Sequence, residues 1–501
     1  MLLRELINGL STLSVSGNLD IDITGISCDS RKTFDGDVFC AIRGYNSDAH
    51  RYLKYAILKG ASACIVEEVP DGFPDTVTII KVHNTREALS YVAHCFYGNP
   101  SQTFPVIGIT GTNGKSTVSY LIADILKNAG YLPAVMGTLG FSVSNNRKTL
   151  ANTTPGSLTI ARLMKEIKDA RGDVLVMEVS SHSLMQDRVR GVQFDAAVFL
   201  NITNDHLDFH KTMDEYLIAK SRLFDMLELS SKKNKVAVLN CDDPAVCSLL
   251  PKIKTDIITF GFSPRAQVRA IRIKMDARGT RFTLVFSGKK YDVWTSLIGG
   301  FNISNCLAAF AVGIGMGIDL KIMIDAVRNF IPPAGRMMKV PSGKNYSVIV
   351  DYAHTPDALS HVLTALREIV RGRIILVFGC GGQRDIHKRE LMGAIAGTCA
   401  DISIITNDNP RQEDPQKIVS DIKKGFDSLS KCRYEVILDR EKAIYDALSL
   451  AKDNDIVVVA GKGHEQYQLI GDEKIPFDDA NVIKHCLKNM NVHIKREKSF
   501  I

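Results

Sequence analysis

Ten consecutive residues carry the most specific chemistry in the chain: Gly108-Ile109-Thr110-Gly111-Thr112-Asn113-Gly114-Lys115-Ser116-Thr117. They match the general phosphate-loop pattern at Gly108, Gly111 and Gly114-Lys115-Ser116. Glycine lets backbone approach an anion closely, and successive N–H groups ahead of a helix point at it. Lys115 adds a point charge, and the Ser116 hydroxyl can face Mg²⁺. The elements needed to position the loop flank it. Pro105-Val106-Ile107 reads as a short buried strand, and Val118 to Lys127 has helical apolar spacing. The loop predicts a nucleoside triphosphate site.

Two further stretches offer partners. Met177-Glu178-Val179-Ser180-Ser181-His182 closes an apolar run. An acid at the C-terminal end of a parallel strand faces the ligand crevice, so Glu178 can hold Mg²⁺; the plainer alternative is a satisfied strand-end carboxylate. Asn201-Ile202-Thr203-Asn204-Asp205-His206-Leu207-Asp208-Phe209-His210 follows the next strand and leads into a helix with Tyr216 and Lys220. His206 and His210 have a spacing that zinc can use, but they precede the expected helix and lack a third soft ligand. One His and an acid beside a Mg²⁺-phosphate site is the better reading. On pattern alone Lys220 is a solvated helical cation.

The 501 residues suggest roughly three domains. Their 45% hydrophobic and 23% charged composition is that of a globular chain. A net charge of +7, spread without blocks, suits small anionic substrates and does not call for nucleic acid. The eleven cysteines include no CxxC, which argues against structural zinc and fits a reducing compartment. No apolar run approaches the ~20 residues of a membrane span. The expectation is a soluble, cytoplasmic monomer.

The fold class expected is α/β in three domains: a small N-terminal α/β unit over 1–98, a central unit over 99–333 and a third over 334–501. In the first, Ile21 to Ile26, Val38 to Ile42 and Ala63 to Val66 read as strands, with helices over Tyr52 to Lys59 and Thr85 to Tyr97. Alternating strands and helices predict a mostly parallel central sheet. A helix-free stretch over 268–297 adds a small antiparallel sheet. Beyond Pro332-Pro333 the alternation restarts, with strands at Ser347, Ile374, Ile402 and Ile456.

Several motifs then resemble the Mur ligases, ATP-dependent amide ligases of the cytoplasmic peptidoglycan precursor. They are Gly111 to Thr117, Glu178 to His182, Asn204 to Asp208, Gly300 to Asn305, Gly335-Arg336-Met337, Asp351-Tyr352-Ala353-His354-Thr355-Pro356 and Gly461 to Glu465. Asn407-Asp408-Asn409-Pro410-Arg411 resembles the branch that adds meso-diaminopimelate to UDP-N-acetylmuramoyl-L-alanyl-D-glutamate. The resemblance implies a UDP-substrate domain, an ATP domain and a Rossmann-like amino-acid domain, in that order. It implies ATP contacts at Gly111 to Thr117, Asn302, Arg336, Asp351 and His354. It assigns the UDP-substrate to Ser30, Asn152, Thr153, Thr154, Ser181, Gln186 and Arg188. It assigns the amino acid to Arg384, Asp408, Asn409, Pro410, Arg411, Gly461 and Glu465. Catalysis would fall to Lys115, Glu178, His206 and Lys220, with Mg²⁺ on Ser116, Glu178, His206 and Lys220, the last carried as N6-carboxylysine. Arg411 and Arg384 would clamp the distal carboxylate that lysine lacks, and Glu465 the distal ammonium. The plainer alternative for Arg411 is a loop cap. Rival expectations are a lysine-adding or folylpolyglutamate-type enzyme, or a nucleotide-binding regulator without catalysis.

Overall fold

The computed structural model describes residues 1–44, 47–74, 76–205, 207–427 and 433–498, with side chains for all of these except 207, 208 and 491–498. Three main sheets follow one another along the chain.

The first runs Ser14–Ser16, Thr78–Lys81, Ala63–Val66, Asp37–Cys40, Gly25–Ser27, parallel except at its first strand. Only the end of the strand expected over Ile21 to Ile26 joins it. Residues 21–23 bind the chain start instead, through Leu3 N–H to Ile21 O (2.9 Å) and Ile23 N–H to Met1 O (2.8 Å).

The central sheet has eleven strands. Val106–Thr110 lies in its middle, between Val174–Glu178 and Ala196–Phe199, all parallel. Side chains alternate across the sheet: Ile107 and Ile109 enter one apolar layer and Val106 the other. Both faces are covered, which is why the strands read as unbroken apolar runs. A Cβ at Gly108 would lie 2.7 Å from the Phe194 ring, so glycine is needed for that packing. After Val106–Thr110 the chain crosses to Pro133–Gly137, returns through Val174–Glu178, and passes to the other side at Ala196–Phe199. The phosphate loop therefore opens at the point where strand order reverses, the place such sheets bind ligands. The antiparallel strands expected near 268–297 are Val268–Asp276, Gly279–Phe286 and Lys289–Thr295. They do not stand apart. Val268 and Arg269 pair with Phe260 and Gly261 and prolong the main sheet.

The third sheet runs Met338–Val340, Ser347–Asp351, Ile456–Ala460, Ile374–Phe378, Ile402–Ile405, Arg433–Val436, parallel except at its first strand. A hairpin, Tyr467–Ile470 with Glu473–Pro476, follows it. Among the described residues no helix is long and apolar enough to cross a membrane.

Candidate active site

The loop between Val106–Thr110 and the helix Lys115–Asn128 turns at Gly111 and Gly114, with φ of +151° and +89°. A Cβ on Gly114 would sit 2.4 Å from Asn305 Oδ1. Lys115 folds back on its own loop, donating to Gly111 O (2.8 Å) and Thr112 O (2.9 Å). Burial lowers its pKa, Glu178 and Asp205 oppose that shift, and Arg336 adds to it. Thr117 and Ser116 are buried in the first helical turn.

The neighbouring segment, 201–205, holds the loop in place. Asn113 N–H donates to Asn201 Oδ1 (2.9 Å), and Thr203 N–H donates to Thr112 Oγ1 (3.0 Å). Asp243 anchors this segment by accepting Ile202 N–H at 2.9 Å. The third unit also reaches the loop. Asp357 Oδ2 accepts from Asn113 Nδ2 (2.8 Å) and Thr203 Oγ1 (3.0 Å).

Glu178 is 1% exposed. Its carboxylate accepts Thr138 N–H (3.0 Å) and Thr138 Oγ1–H (2.9 Å). Gly137 leaves the room it needs, since a Cβ there would lie 2.2 Å from Glu178 Oε1. Lys220, on Met213–Leu229, is also 1% exposed, so the solvated-cation reading fails. Its Nζ lies 4.4 Å from the Tyr216 ring centroid. Burial, then the Lys115 charge, hold its pKa well below the ordinary lysine value. The residue expected beside these, His206, lies outside the described residues. His210 is engaged by the protein itself. It ends a short helix, Leu207–His210, and its Nε2 sits 2.9 Å from Ser181 Oγ.

Arg336 spans to this centre, donating from Nη2 to Ser116 Oγ (3.2 Å) and stacking over Tyr352 at 4.7 Å. Its Nε is buried with no hydrogen-bond partner among the described residues. Asp351 accepts Met337 N–H (2.6 Å) and Ala353 N–H (2.8 Å), which ties the Arg336 segment to its strand. His354 Nδ1 lies 2.8 Å from Tyr352 O. Burial holds both His354 and His464 down at about 4, helped by Lys388 for the first and Arg336 for the second. Both imidazoles are therefore neutral at pH 7. Asn302 donates to Ile298 O (2.9 Å) and accepts from Asn305 Nδ2 (3.1 Å).

A cleft of about 870 Å³ opens between the first and central units, lined by Ser30, Asn152, Gln186 and Arg188. Arg188 Nη1 donates to Thr154 O (2.9 Å), and Thr154 Oγ1 to Glu178 O (2.9 Å). Thr153 Oγ1 is 3.0 Å from Thr138 Oγ1. Hydrogen bonds thus run from the edge of the cleft to Glu178, reaching its carboxylate through Thr153 and Thr138. Sequence reasoning missed Arg31, Tyr52, Tyr55 and Arg86 on its wall. Arg31 directly follows Ser30, and Tyr52 and Tyr55 lie three residues apart in one helical stretch, but nothing in their spacing names a ligand, and only the folded cleft brings the four together.

The last group is assembled from loops at 381–384, 408–413 and 461–470. Arg411 Nη1 donates to Gly382 O (2.7 Å) and Asn409 O (3.4 Å), so the loop-cap reading describes part of its guanidinium. Among the described residues neither Nε nor Nη2 donates to a protein acceptor. Burial and the nearby Arg384 charge lower its pKa. Glu465 Oε2 accepts from Asn409 Nδ2 (2.8 Å) and from buried Lys462 (3.0 Å), which leaves Oε1 for a ligand. Asp408 is buried beneath Gly461, where a Cβ would lie 2.6 Å from Asp408 Oδ2. A Cβ on Gly382 would meet Pro410 O at 1.9 Å. Lys462 and Asp357 were also missed, although Lys462 lies inside one motif and Asp357 is the residue directly after another.

The residues fit the groups expected. Ser116 and Glu178 are hard oxygen donors, as suits Mg²⁺ held mostly by phosphate and water. Among the described residues no group of three or more His, Cys, Asp or Glu stands where it could hold a metal ion. The unpartnered Arg336 Nε calls for an anionic or ribose oxygen.

Comparison with known proteins identifies the family. Residues 22–97 match the Mur ligase family catalytic domain, 109–313 the Mur ligase middle domain, and 335–463 the Mur ligase glutamate ligase domain. The chain is 41% identical to the UDP-N-acetylmuramoyl-L-alanyl-D-glutamate–2,6-diaminopimelate ligase of Syntrophomonas wolfei, covering 97% of this chain and 99% of that one. It is 40% identical to the enzyme of that name from Clostridium tetani, covering 98% and 100%. A solved structure of a ligase of that name superposes with a TM-score of 0.70 at 32% identity, over 98% and 99% of the two chains. The ADP complex of MurF ligase from Thermotoga maritima shares the fold at a TM-score of 0.62 and 20% identity, over 93% and 97%. The chain belongs to the Mur ligase family.

Proposed function

We propose that this enzyme joins meso-2,6-diaminopimelate to the D-glutamate of UDP-N-acetylmuramoyl-L-alanyl-D-glutamate, converting ATP to ADP and phosphate. A carboxylate is a poor acyl donor. ATP first phosphorylates it, the amine of the amino acid attacks the acyl phosphate, and phosphate leaves. The observation that carries this reading is one juxtaposition: a phosphate loop bonded to the third unit through Asp357 and Arg336, and in that unit a pocket with two arginines and one carboxylate.

Each part has a physical task. Lys115 moves from its loop carbonyls to the transferring phosphoryl group and screens its charge. Ser116, Glu178, His206 and Lys220 would hold Mg²⁺, which neutralises crowded phosphate oxygens. The depressed pKa of Lys220 favours its neutral amine. That amine adds to the carbon of CO₂ and loses a proton, leaving a carbamate anion in place of a cation. Such a change relieves the repulsion from Lys115. Thr138 fixes the Glu178 carboxylate. The UDP-substrate occupies the cleft of Ser30, Asn152, Gln186 and Arg188, with Thr153, Thr154 and Ser181 at its inner end. Arg336, Asn302, Asp351 and His354 serve the nucleoside side of ATP. Arg411 and Arg384 clamp the distal carboxylate of the amino acid, and Glu465 Oε1 takes its ammonium. A lysine substrate would leave the two arginines unpaired. We take the enzyme to act in the cytoplasm, where ATP is made, and as a monomer.

The test is product formation from UDP-muramyl dipeptide and ATP with meso-diaminopimelate and L-lysine in competition. Phosphate release should require both co-substrates, and the diaminopimelate product should dominate. Equal use of the two amino acids, or phosphate release without them, overturns the assignment.

A further inference from the structure

The two arginines of the amino-acid pocket stand on backbone that local preference does not hold. Arg411 has φ +54°, and Gln383, the residue before Arg384, has φ +51°. Left-handed backbone is unfavourable for residues other than glycine and persists only where the surroundings impose it. The arginines also repel each other. An added Cβ at Gly381 would meet Arg411 Nη1 at 3.0 Å and Arg384 Cγ at 3.7 Å, so both side chains flank the same glycine. Without a brace, two like charges on two separate turns would splay.

The brace is an ion pair that does not face the pocket. Arg389, on the helix His387–Cys399, is fully buried. Its Nη1 and Nη2 donate to Glu413 Oε1 (2.7 Å) and Oε2 (2.8 Å), a two-pronged contact, and Nη1 also reaches Asp421 Oδ2 at 3.1 Å. Glu413 then touches both turns. Its Oε2 accepts Gln383 N–H (3.0 Å), and its own N–H donates to Pro410 O (3.1 Å). The turns are also laced directly, Gly382 N–H to Asn409 O at 2.9 Å and Arg411 Nη1 to Gly382 O at 2.7 Å. The Arg389 contact holds the Glu413 carboxyl down at about 2, so it is charged at any working pH.

We propose that Glu413, locked by Arg389, is a positioning residue that sets the spacing of Arg384 and Arg411 and so selects an amino acid with a distal carboxylate. This deepens the function proposed above and rests on it. Buried ion pairs contribute little net stability compared with apolar packing, and registry is their best-attested use. The pair acts through the turns, by the bonds of Glu413 to Gln383 N–H and Pro410 O.

Two variants of the full-length enzyme test this, each with meso-diaminopimelate and with L-lysine. Glu413→Ala removes the brace. Glu413→Asp keeps a charge opposite buried Arg389, and so preserves folding, but withdraws the carboxylate by one methylene from Gln383 N–H. Glu413→Ala should raise KM for diaminopimelate about 10-fold or more, as misplacement of a clamp does. The diaminopimelate-to-lysine ratio of kcat/KM should fall by a similar factor. Glu413→Asp should show the same pattern at smaller size. KM for ATP and for the UDP-substrate should stay at the wild-type value in both. A merely structural pair would lower kcat or thermal stability and leave KM for diaminopimelate and the selectivity alone, and that outcome in Glu413→Asp overturns the proposal. Parallel rises in all three KM values overturn it too. If the wild type itself shows no saturable use of diaminopimelate, the function proposed above fails, which is a separate result.

Discussion

The phosphate loop and the amino-acid pocket solve one problem, holding a cation where an anion will come, by opposite means. Lys115 rests on carbonyls three and four residues away. Arg411 rests on Gly382 O, 29 positions away, and is steadied by Glu413, Arg389 and the turn at 381–383. The cation of the first site is held within one strand, one turn and one helix, with residues 201–205 and Asp357 fastening that loop from outside. The second exists only when three loops at the ends of the third sheet are brought together. The lesson is that the step shared by ATP-dependent ligases is built locally, while the choice of amino acid is built from remote parts that can change one by one.

The largest break in this comparison should come from Lys220. Lys220→Ala should lower kcat by about 100-fold or more, the scale of losing one preorganised electrostatic group. Short carboxylic acids should restore part of the rate by standing in for the carbamate. An accurate mass measured with CO₂ retained should show the added carboxyl group on the wild type. A fully active Lys220→Ala enzyme would sink the idea. Next in size, Arg411→Ala should raise KM for diaminopimelate by roughly 30-fold or more, since an unpaired charged contact costs about 2 kcal/mol or more. ATP affinity, read by direct titration, should hold. A matching loss of ATP binding would mean that the two regions are one.

The smallest effect concerns pH. His354 and His464 titrate at about 4 in the fold, below the ordinary histidine value of about 6.5. Between those values the unfolded chain binds more protons. The stability that depends on these neutral rings is therefore intact above about pH 6.5 and lost as the pH falls toward 4. Urea unfolding at pH 7.5, 5.5 and 4.5 should show less acid loss for His354→Gln/His464→Gln than for the wild type. Identical slopes would refute the assignment to these rings.

Much of the scaffold was legible because burial writes itself as periodicity. Ile374–Phe378 and Ile456–Ala460 are apolar throughout, and Ile402–Ile405 at every position but Ser403, because helices cover both faces of their sheet. Pro133–Gly137 and the hairpin at 467–476 escaped notice. A proline and a glycine bound the former, and the latter has no apolar face, with Gln468 buried while Ile470 and all of Glu473–Pro476 are exposed. Lys220 shows the same limit inside the site. In the sequence it is one of many helical lysines, and only the fold buries it, with its Nζ over the Tyr216 ring and within reach of the Lys115 charge.

The sequence by itself determined the phosphate loop, the alternation of strands and helices, and the motifs that carry family membership. These depend on consecutive residues, whose spacing is fixed by covalent geometry. Tertiary structure alone decided that Asp357 reaches Asn113, that Arg188 and Thr154 connect the cleft to Glu178, and that Arg389 and Glu413 lie behind the arginine pair. Those contacts join residues tens to hundreds of positions apart. Whether such charges meet depends on strand order and loop register, which residue type does not encode.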